Sequence, residues 1–305
     1  MTLNMNSGHG ASGHFKQKIG RDALMENLRA IAEVVKEADV VFLQEADLRW
    51  AGTQSINQAH EIARMSGFAH HFCHAHLRSP LPKFFNAIKS DNVIMNRELG
   101  TAILSRYPIV ERRAHDFGES MPSAFLRYCA RVVNEYKGYT YAVVETPAGR
   151  IGAVSTHLVN DVLFTITDFL GHGVHGQSLQ RILQVRSLVQ LINGCGLPLL
   201  LGADLNMVPR ESKLHFLDSR KGDRDDYRVA LGMYLLREAG KIATIPELFG
   251  NGNPEKISRY HTYPSVDPDR TLDYIFATRE FEFLDYRVLP DLVSDHRAVS
   301  ATLGI

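Results

Sequence analysis

The chain has 305 residues, 45% of them hydrophobic, so it is long enough to bury a large core in one or two domains. Lys and Arg together number 34, as do Asp and Glu, and this balance lacks the basic surplus of proteins that grip duplex nucleic acid non-specifically. No apolar run approaches the length of a membrane-spanning helix, and no secretory signal is visible.

The spacing of apolar residues predicts a mixture of strands and helices along the whole chain. Strands are predicted at residues 2–6, 39–44, 101–105, 131–136, 139–146, 150–156, 197–205, 272–277, 282–289 and 297–303. Helices are predicted at residues 21–37, 54–65, 179–192 and 228–238. Residues 72–96, which contain Pro80 and Pro82, are predicted to be irregular, and residues 161–177 to form a loop over the site.

The order of these elements indicates the architecture. Strands come in pairs with helices between them, and strict β-α-β alternation is missing. This order favours two packed sheets with outer helices over one doubly wound sheet. Because no linker interrupts the pattern, we expect a single domain over residues 1–305.

Polar side chains stand at the ends of several predicted strands. Glu45 closes an apolar run, His157 closes another, and Asp204 follows a third. The pair Asp295-His296 directly precedes the last strand. Because each of these strand ends carries a residue that can bind a metal or transfer a proton, we infer that these residues share one site.

Each of these residues also has a structural interpretation. Asp204 and Asn206 are two apart, which places them on one face of a strand, but both types also form turns. Asn4 and Asn6 repeat that spacing before Gly8 and allow the same two interpretations. An ionised Glu45 at a buried strand end would need a partner or a cation such as Mg²⁺; otherwise it is a surface residue.

The histidines allow similar alternatives. His157 on its own is typical of a structural histidine. Asp273 interrupts an apolar strand and needs a partner, for which His296 is the candidate, since an Asp–His pair fixes the imidazole tautomer. Four histidines lie around Cys73, but their spacing matches no closed zinc pattern, so exposed histidines are favoured there.

An ordered set of motifs resembles the endonuclease/exonuclease/phosphatase superfamily. The set consists of Gln44-Glu45, the run 202–206 (Gly-Ala-Asp-Leu-Asn), the run 270–276 (Arg-Thr-Leu-Asp-Tyr-Ile-Phe) and Ser294-Asp295-His296. Supporting stretches lie at residues 2–5, 100–109, 155–158 and 261–264. The resemblance covers essentially the whole chain.

The resemblance implies a four-layer α/β/β/α sandwich and hydrolysis of a phosphoester with Mg²⁺ or Mn²⁺. It implies that Glu45 is the principal metal ligand, with Asn4 beside it and Asp295 as a second carboxylate on the metal side. Asn6, which the resemblance also places among the metal-binding residues, occupies a position that is acidic in several relatives, which makes a two-metal site less favourable.

The resemblance also implies the catalytic roles. Asp204 and Asn206 would handle the attacking water and the phosphate, and His157 would contact the phosphate or protonate the leaving oxygen. Relatives are argued to use either His296 or Asp204 as the base. We expect His296, oriented by Asp273, to be the base and Asp204 to position the water.

The resemblance leaves the substrate open. A phosphodiesterase or phosphatase acting on a small or lipid-linked phosphoester is our leading hypothesis, and a nuclease is the alternative that the neutral charge disfavours. A catalytically silent binding module belongs to another class. Loops 70–98, 160–178 and 207–260 are expected to set specificity.

Cellular context is inferred from the cysteines. Cys73, Cys129 and Cys195 are scattered and form no CxxC motif, which favours a reducing compartment, so we expect a cytoplasmic protein. We also expect it to be a monomer. The first predicted strand begins at Thr2, and a targeting segment in a longer natural chain is the alternative.

Overall fold

Two six-stranded β-sheets form the centre of the molecule. The computed structural model describes residues 1–13, 18–78, 97–117, 137–159, 175–209, 232–248 and 254–305. The strands are β1 (Thr2–Asn4), β2 (Val40–Arg49), β3 (His70–Arg78), β4 (Glu98–Ser105), β5 (Ile109–Asp116), β6 (Gly138–Thr146), β7 (Gly149–His157), β8 (Leu199–Asp204), β9 (Ile242–Ala243), β10 (Asp273–Thr278), β11 (Glu282–Val288) and β12 (Val299–Gly304). One sheet has the order β11-β12-β1-β2-β4-β3, and the other has the order β5-β6-β7-β8-β10-β9.

Helices cover the outer faces of both sheets. The α-helices are α1 (Arg21–Val35), α2 (Gln58–Ser66), α3 (His175–Cys195) and the short α4 (Pro254–Ile257). Single turns of 3-10 helix lie at Asn6–Gly8, Ala51–Thr53, Pro246–Leu248 and Ser258–Tyr260, and a π-helical turn lies at Leu235–Ala239. None of the helices in the described ranges is long and apolar enough to cross a membrane.

Three apolar layers hold the elements together. Between the sheets, Phe42 and Ile103 of the first sheet pack with Val144 and Leu200 of the second. The sheets approach so closely that a Cβ on Gly202 would lie 2.3 Å from the Phe42 ring. The helices α1 and α2 pack on the outer face of the first sheet, and α3 packs on the outer face of the second. These contacts confirm the predicted four-layer sandwich.

Strand pairing brings the polar strand ends together. The strands β1 and β2 are parallel, and Asn4 lies opposite Gln44, next to Glu45. In the other sheet, β7 and β8 are also parallel, with His157 opposite Asp204. The antiparallel strand β10 places Asp273 on the other side of Asp204.

Most predicted elements are present, and three edge strands were missed: β3, β5 and the two-residue β9. Residues 72–78, predicted to be irregular, belong to β3, so that prediction was wrong for this part of the chain. The strand β5 was not predicted. The strands β3 and β5 lie at the edges of their sheets, where one face needs no apolar side chains. Histidines in β3 and charged residues in β5 therefore obscure the strand pattern. The predicted strand 131–136 and most of the predicted loop 161–177 lie outside the described residues.

Candidate active site

Asp204 lies at the centre of the converging strand ends and is almost fully buried. Its Oδ2 accepts a hydrogen bond from Asn4 Nδ2 at 2.8 Å, and its Oδ1 accepts one from the backbone N–H of Asn206 at 3.0 Å. His157 Nε2 lies 3.2 Å from Oδ2, and His296 Nε2 lies 4.0 Å from the same oxygen. One carboxylate therefore connects both sheets of the sandwich.

Asp273 and His296 form a buried pair beside Asp204. The Nδ1 of His296 lies 2.8 Å from Asp273 Oδ2. Burial alone would lower the pKa of His296, but Asp273, Asp204 and Asp295 together raise it to about 10. The Tyr263 ring packs on the imidazole with its centroid 4.7 Å away. His296 is therefore held in one orientation and carries a positive charge at neutral pH.

His157 is held between Asp204 and the ammonium group of Lys137. The Lys137 Nζ lies 3.0 Å from the ring nitrogens of His157. Asn206 Nδ2 lies 3.1 Å from His157 Nε2 and donates to the carbonyl of Leu158 at 2.9 Å. Burial, with the charge of Lys137, lowers the pKa of His157 well below its ordinary value. His157 is therefore a neutral imidazole.

Glu45 is the most accessible carboxylate that the structure places beside His157. It has a φ of 51° and lies where the pairing of β2 with β4 shifts register, so a bulge turns the side chain out of the strand. Its Oε1 lies 3.6 Å from Lys137 Nζ and 3.8 Å from His157 Nδ1. Glu45 thus faces the site and is not a distant surface residue.

Asp295 belongs to the same electrostatic group. Ser294 Oγ donates a hydrogen bond to its Oδ1 at 3.2 Å. Burial raises the pKa of Asp295 to about 6, and the nearby charge of Glu45 contributes to the increase. Burial, with the charge of Asp273, likewise raises the pKa of Asp204 to about 7. The carboxylates of Glu45, Asp204, Asp273 and Asp295 therefore concentrate negative charge in this site.

Asn6 is engaged elsewhere. It has a φ of 44°, and its Nδ2 donates to the carbonyl oxygens of Gly13 at 2.9 Å and Gly10 at 3.4 Å. Its backbone N–H donates to Asn4 Oδ1 at 3.0 Å. The structure therefore places the Asn6 amide on the glycine loop and makes it a support for Asn4.

Sequence reasoning missed two contributors to the site. Lys137 follows residues 131–136, and a lysine beside a predicted strand carries no distinctive signal. Tyr263 lies in the stretch 261–264 that supported the resemblance, although no role was assigned to it. Burial, with the charge of Asp295, raises the pKa of Tyr263.

The residues present fit a divalent cation. Glu45, Asp295 and the Asn4 amide supply oxygen donors, the type that Mg²⁺ prefers. Donor atoms of Asp204, Asp273 and His296 also lie within 4.8 Å of one another. Asp273 Oδ1 is a buried oxygen without a hydrogen-bond partner in the described part of the chain. A cation would offset both the burial and the crowding of carboxylates, which together raise the pKa values of Asp204 and Asp295.

Structural comparisons agree with the fold. An endonuclease/exonuclease/phosphatase from Beutenbergia cavernae DSM 12333 is 18% identical, with a TM-score of 0.67 over 99% of this chain and 70% of its own. The mannosyl-6-phosphatase Bt3783 of Bacteroides thetaiotaomicron VPI-5482 is 13% identical, with a TM-score of 0.57 over 100% of this chain and 98% of its own. Humanized D. rerio TDP2 is 14% identical, with a TM-score of 0.56 over 100% of this chain and 97% of its own.

Sequence comparison identifies the family. No curated protein matches the sequence of this chain significantly. The model of the endonuclease/exonuclease/phosphatase family matches residues 1–296, which include every strand end of the site. The chain therefore belongs to the endonuclease/exonuclease/phosphatase family and is a hydrolase of phosphoesters.

Proposed function

We propose that this chain is a Mg²⁺-dependent enzyme, also served by Mn²⁺, that hydrolyses a small or lipid-linked phosphoester by in-line attack of water. The observation that carries the proposal is the convergence of Glu45, Asp204 and Asp295 with His157 and the His296–Asp273 pair. These residues come from three strand ends, the bulge in β2 and the loop before β12, in two different sheets. Such a set has both the oxygen donors for a cation and the groups for proton transfer.

Glu45, Asp295 and Asn4 would hold the cation. Bound there, Mg²⁺ would supply positive charge to the oxygens of the phosphoryl group. Asn6, whose amide holds the glycine loop, would keep the Asn4 oxygen in place and would not itself be a ligand. We therefore assign Asn6 to the support of the site, although the sequence alone suggested a ligand.

The attacking water would lie between Asp204 and His296. The 4.0 Å between His296 Nε2 and Asp204 Oδ2 is too long for a direct hydrogen bond, and both atoms are polar. His296 holds its proton at neutral pH because its pKa is about 10. These features favour Asp204 as the base and His296 as a cation that orients the water, which exchanges the roles expected from the sequence.

Three further side chains would bind the phosphate. His157, neutral and next to Lys137, has an N–H to donate to a phosphoryl oxygen. The Asn206 amide lies beside His157 and would add a hydrogen-bond donor without adding charge. Lys137 provides a cation that is 18% exposed and lies beside Glu45. Together they would stabilise the negative charge of the transition state.

The same proposal covers the organisation of the chain. The strand β1 pairs with β12, so the first and last strands lie side by side in one sheet. This pairing supports a single domain over residues 1–305. We propose that it acts as a monomer, since the residues of the site all come from one chain.

Hydrolysis of bis(p-nitrophenyl) phosphate and of p-nitrophenyl phosphate, each with Mg²⁺, Mn²⁺ or EDTA, tests the proposal. Wild type is compared with His296→Ala and with the control His60→Ala on α2. We expect metal-dependent cleavage that the His296 variant loses and the control keeps. Preference for the diester or the monoester would separate a phosphodiesterase from a phosphatase.

The other outcomes distinguish the alternatives. Cleavage of DNA or RNA with binding that falls steeply with salt would favour a nuclease. A folded wild type that binds phosphoesters but cleaves neither compound would contradict the proposal and favour a binding module.

A further inference from the structure

A second cluster of polar side chains lies where the edges of the two sheets meet. His74 and His76 belong to β3, the edge strand of the first sheet, and Asp116 ends β5, the edge strand of the second. The strand β3 has a register shift around His76, and such bulges redirect side chains. His74 and His76, which precede Asp116 by 42 and 40 positions in the sequence, therefore face it across the sandwich.

Both imidazoles point at the same carboxylate oxygen. His76 Nδ1 lies 2.7 Å from Asp116 Oδ1, and His74 Nε2 lies 3.2 Å from that oxygen. The three donor atoms lie within 4.8 Å of one another. Ligand atoms around one tetrahedral Zn²⁺ lie roughly 3.3 Å apart, given metal–ligand distances near 2.0–2.1 Å. Only small side-chain shifts separate this cluster from a zinc site.

The cluster has the outer contacts that metal-binding histidines usually have. His76 Nε2 lies 2.9 Å from Thr101 Oγ1, which lies 3.1 Å from Thr140 Oγ1 in the facing sheet. A ligating histidine commonly donates its second ring N–H to such a group, which fixes the ring and leaves the other nitrogen for the metal. A Cβ on Gly138 would lie 2.3 Å from His76 Nδ1, so glycine keeps this side of the ring open.

Exposure and charge also suit a bound ion. The His76 side chain is 2% exposed, whereas His74 and Asp116 are 27% and 25% exposed, so an ion has a buried anchor and a route from solvent. Burial alone would raise the pKa of Asp116, but its hydrogen bonds to both histidines hold it well below the ordinary value. Asp116 is therefore an ionised carboxylate.

We propose that His74, His76 and Asp116 form a binding site for a transition-metal ion, with Zn²⁺ as the best match. Two imidazoles and one carboxylate select Zn²⁺ over Mg²⁺, which prefers oxygen donors. His76 lines a small pocket together with Glu45, Lys137 and His157. The ion would thus lie next to the active site, use none of its ligands, and join β3 to β5 across the edges of the sandwich.

Titration of the metal-free full chain with Zn²⁺ tests the site, with excess Mg²⁺ present to occupy oxygen-rich sites. Calorimetry gives the stoichiometry and affinity, and thermal unfolding gives the stabilisation. We expect one Zn²⁺ per chain and a higher Tm. His74→Ala and Asp116→Asn should weaken binding by more than the roughly 10- to 100-fold that loss of an outer contact costs. His74 is substituted and not His76 because His74 is partly exposed, so its loss should disturb the fold less than the loss of the buried His76.

Two controls make the result specific. His60 Nδ1 lies 3.4 Å from His71 Nε2, and this exposed histidine pair is the alternative zinc ligand, so His71→Gln should leave binding unchanged. Glu45→Gln should also leave it unchanged, because Glu45 belongs to the active site. Binding that survives in both cluster variants, is lost in either control, or is absent from wild type would overturn the proposal and leave a hydrogen-bonded contact between sheet edges.

Discussion

Asp204 is held by direct polar contacts with several other members of the site. Its two oxygens are fixed by Asn4 and by the backbone of Asn206, and His157 lies within hydrogen-bonding distance. Burial and the charge of Asp273 raise its pKa to about 7, so it accepts a proton more readily than an ordinary aspartate. The side chain is both a positioning group and the proposed base.

Asp204→Asn keeps the shape of the side chain and removes its basicity. We expect kcat to fall by about 10²–10⁴-fold, the usual contribution of a general base, with the fold unchanged. Steady-state kinetics on the better of the two nitrophenyl substrates measures this effect, and circular dichroism checks the fold. The exposed Asp285→Asn is the control. A variant with wild-type kcat would exclude Asp204 as the base.

Most of the proposed site residues stand out in the sequence because they interrupt, close or directly precede an apolar strand. Asp273 and Glu45 are conspicuous for that reason. Lys137 was missed because a single lysine beside a predicted strand does not interrupt an apolar run and so does not stand out. The sequence predicts Asn6 as a metal ligand, whereas our proposal gives it a supporting role. Its residue type does not reveal its positive φ or its hydrogen bond to the glycine loop.

At the scale of elements, a buried ion pair fixes the β2 end that carries Glu45. Arg97 Nε lies 3.1 Å from Asp47 Oδ2, and both side chains are at most 1% exposed. Arg97 also donates to Ser7 Oγ and lies over the Trp50 ring. The pair therefore joins the start of β4, the strand β2 and the turn after β1.

Removal of the Arg97 side-chain charge should lower the free energy of unfolding substantially. In Arg97→Met the Asp47 carboxylate stays buried without its charged partner, and such changes cost about 3–5 kcal/mol. Urea denaturation of the metal-free chain measures the free energy of unfolding. Arg113→Met, which breaks an exposed pair with Glu111, is the control and should change it by less than about 1 kcal/mol. Equal effects in both variants would contradict this account of the β2 end.

Edge strands show where prediction from sequence fails. Central strands such as β8 are apolar on both faces and were found. The strand β3 has four histidines among its nine residues, so its pattern resembles a loop. Its pairing with β4, and the approach of Asp116 to His76, depend on contacts between distant parts of the chain. No local sequence pattern records such contacts.

At the scale of the whole molecule, the close packing of two sheets places ligands from both sheets in one site. Gly202 of β8 faces Phe42 of β2, and this close approach needs a residue without a side chain. The motif around Asp204 thus has a packing role in addition to its chemistry. The element order favoured two packed sheets with outer helices, and the resemblance implied the same four layers.

Gly202→Ala tests the packing of the two sheets. The added methyl group would lie 2.3 Å from the Phe42 ring, so the sheets must shift, and overpacking of this kind costs about 1–3 kcal/mol. Gly194→Ala in α3 is the matched control, because its Cβ would meet nothing within 4 Å and alanine favours a helix. Thermal unfolding should show a lower Tm for the first variant only. A higher Tm for Gly202→Ala would mean that the sheets are not tightly packed there.

The dependence of activity on Mg²⁺ concentration in Glu45→Gln tests the central claim most directly, with Glu145→Gln as the exposed control. Glutamine removes the negative charge of the proposed principal ligand and nearly keeps its size. The account predicts that wild type and Glu145→Gln respond alike to Mg²⁺, whereas Glu45→Gln needs a much higher concentration and has a far lower maximal rate. Glu45→Gln with a wild-type rate and Mg²⁺ response would contradict a metal-dependent site at these strand ends.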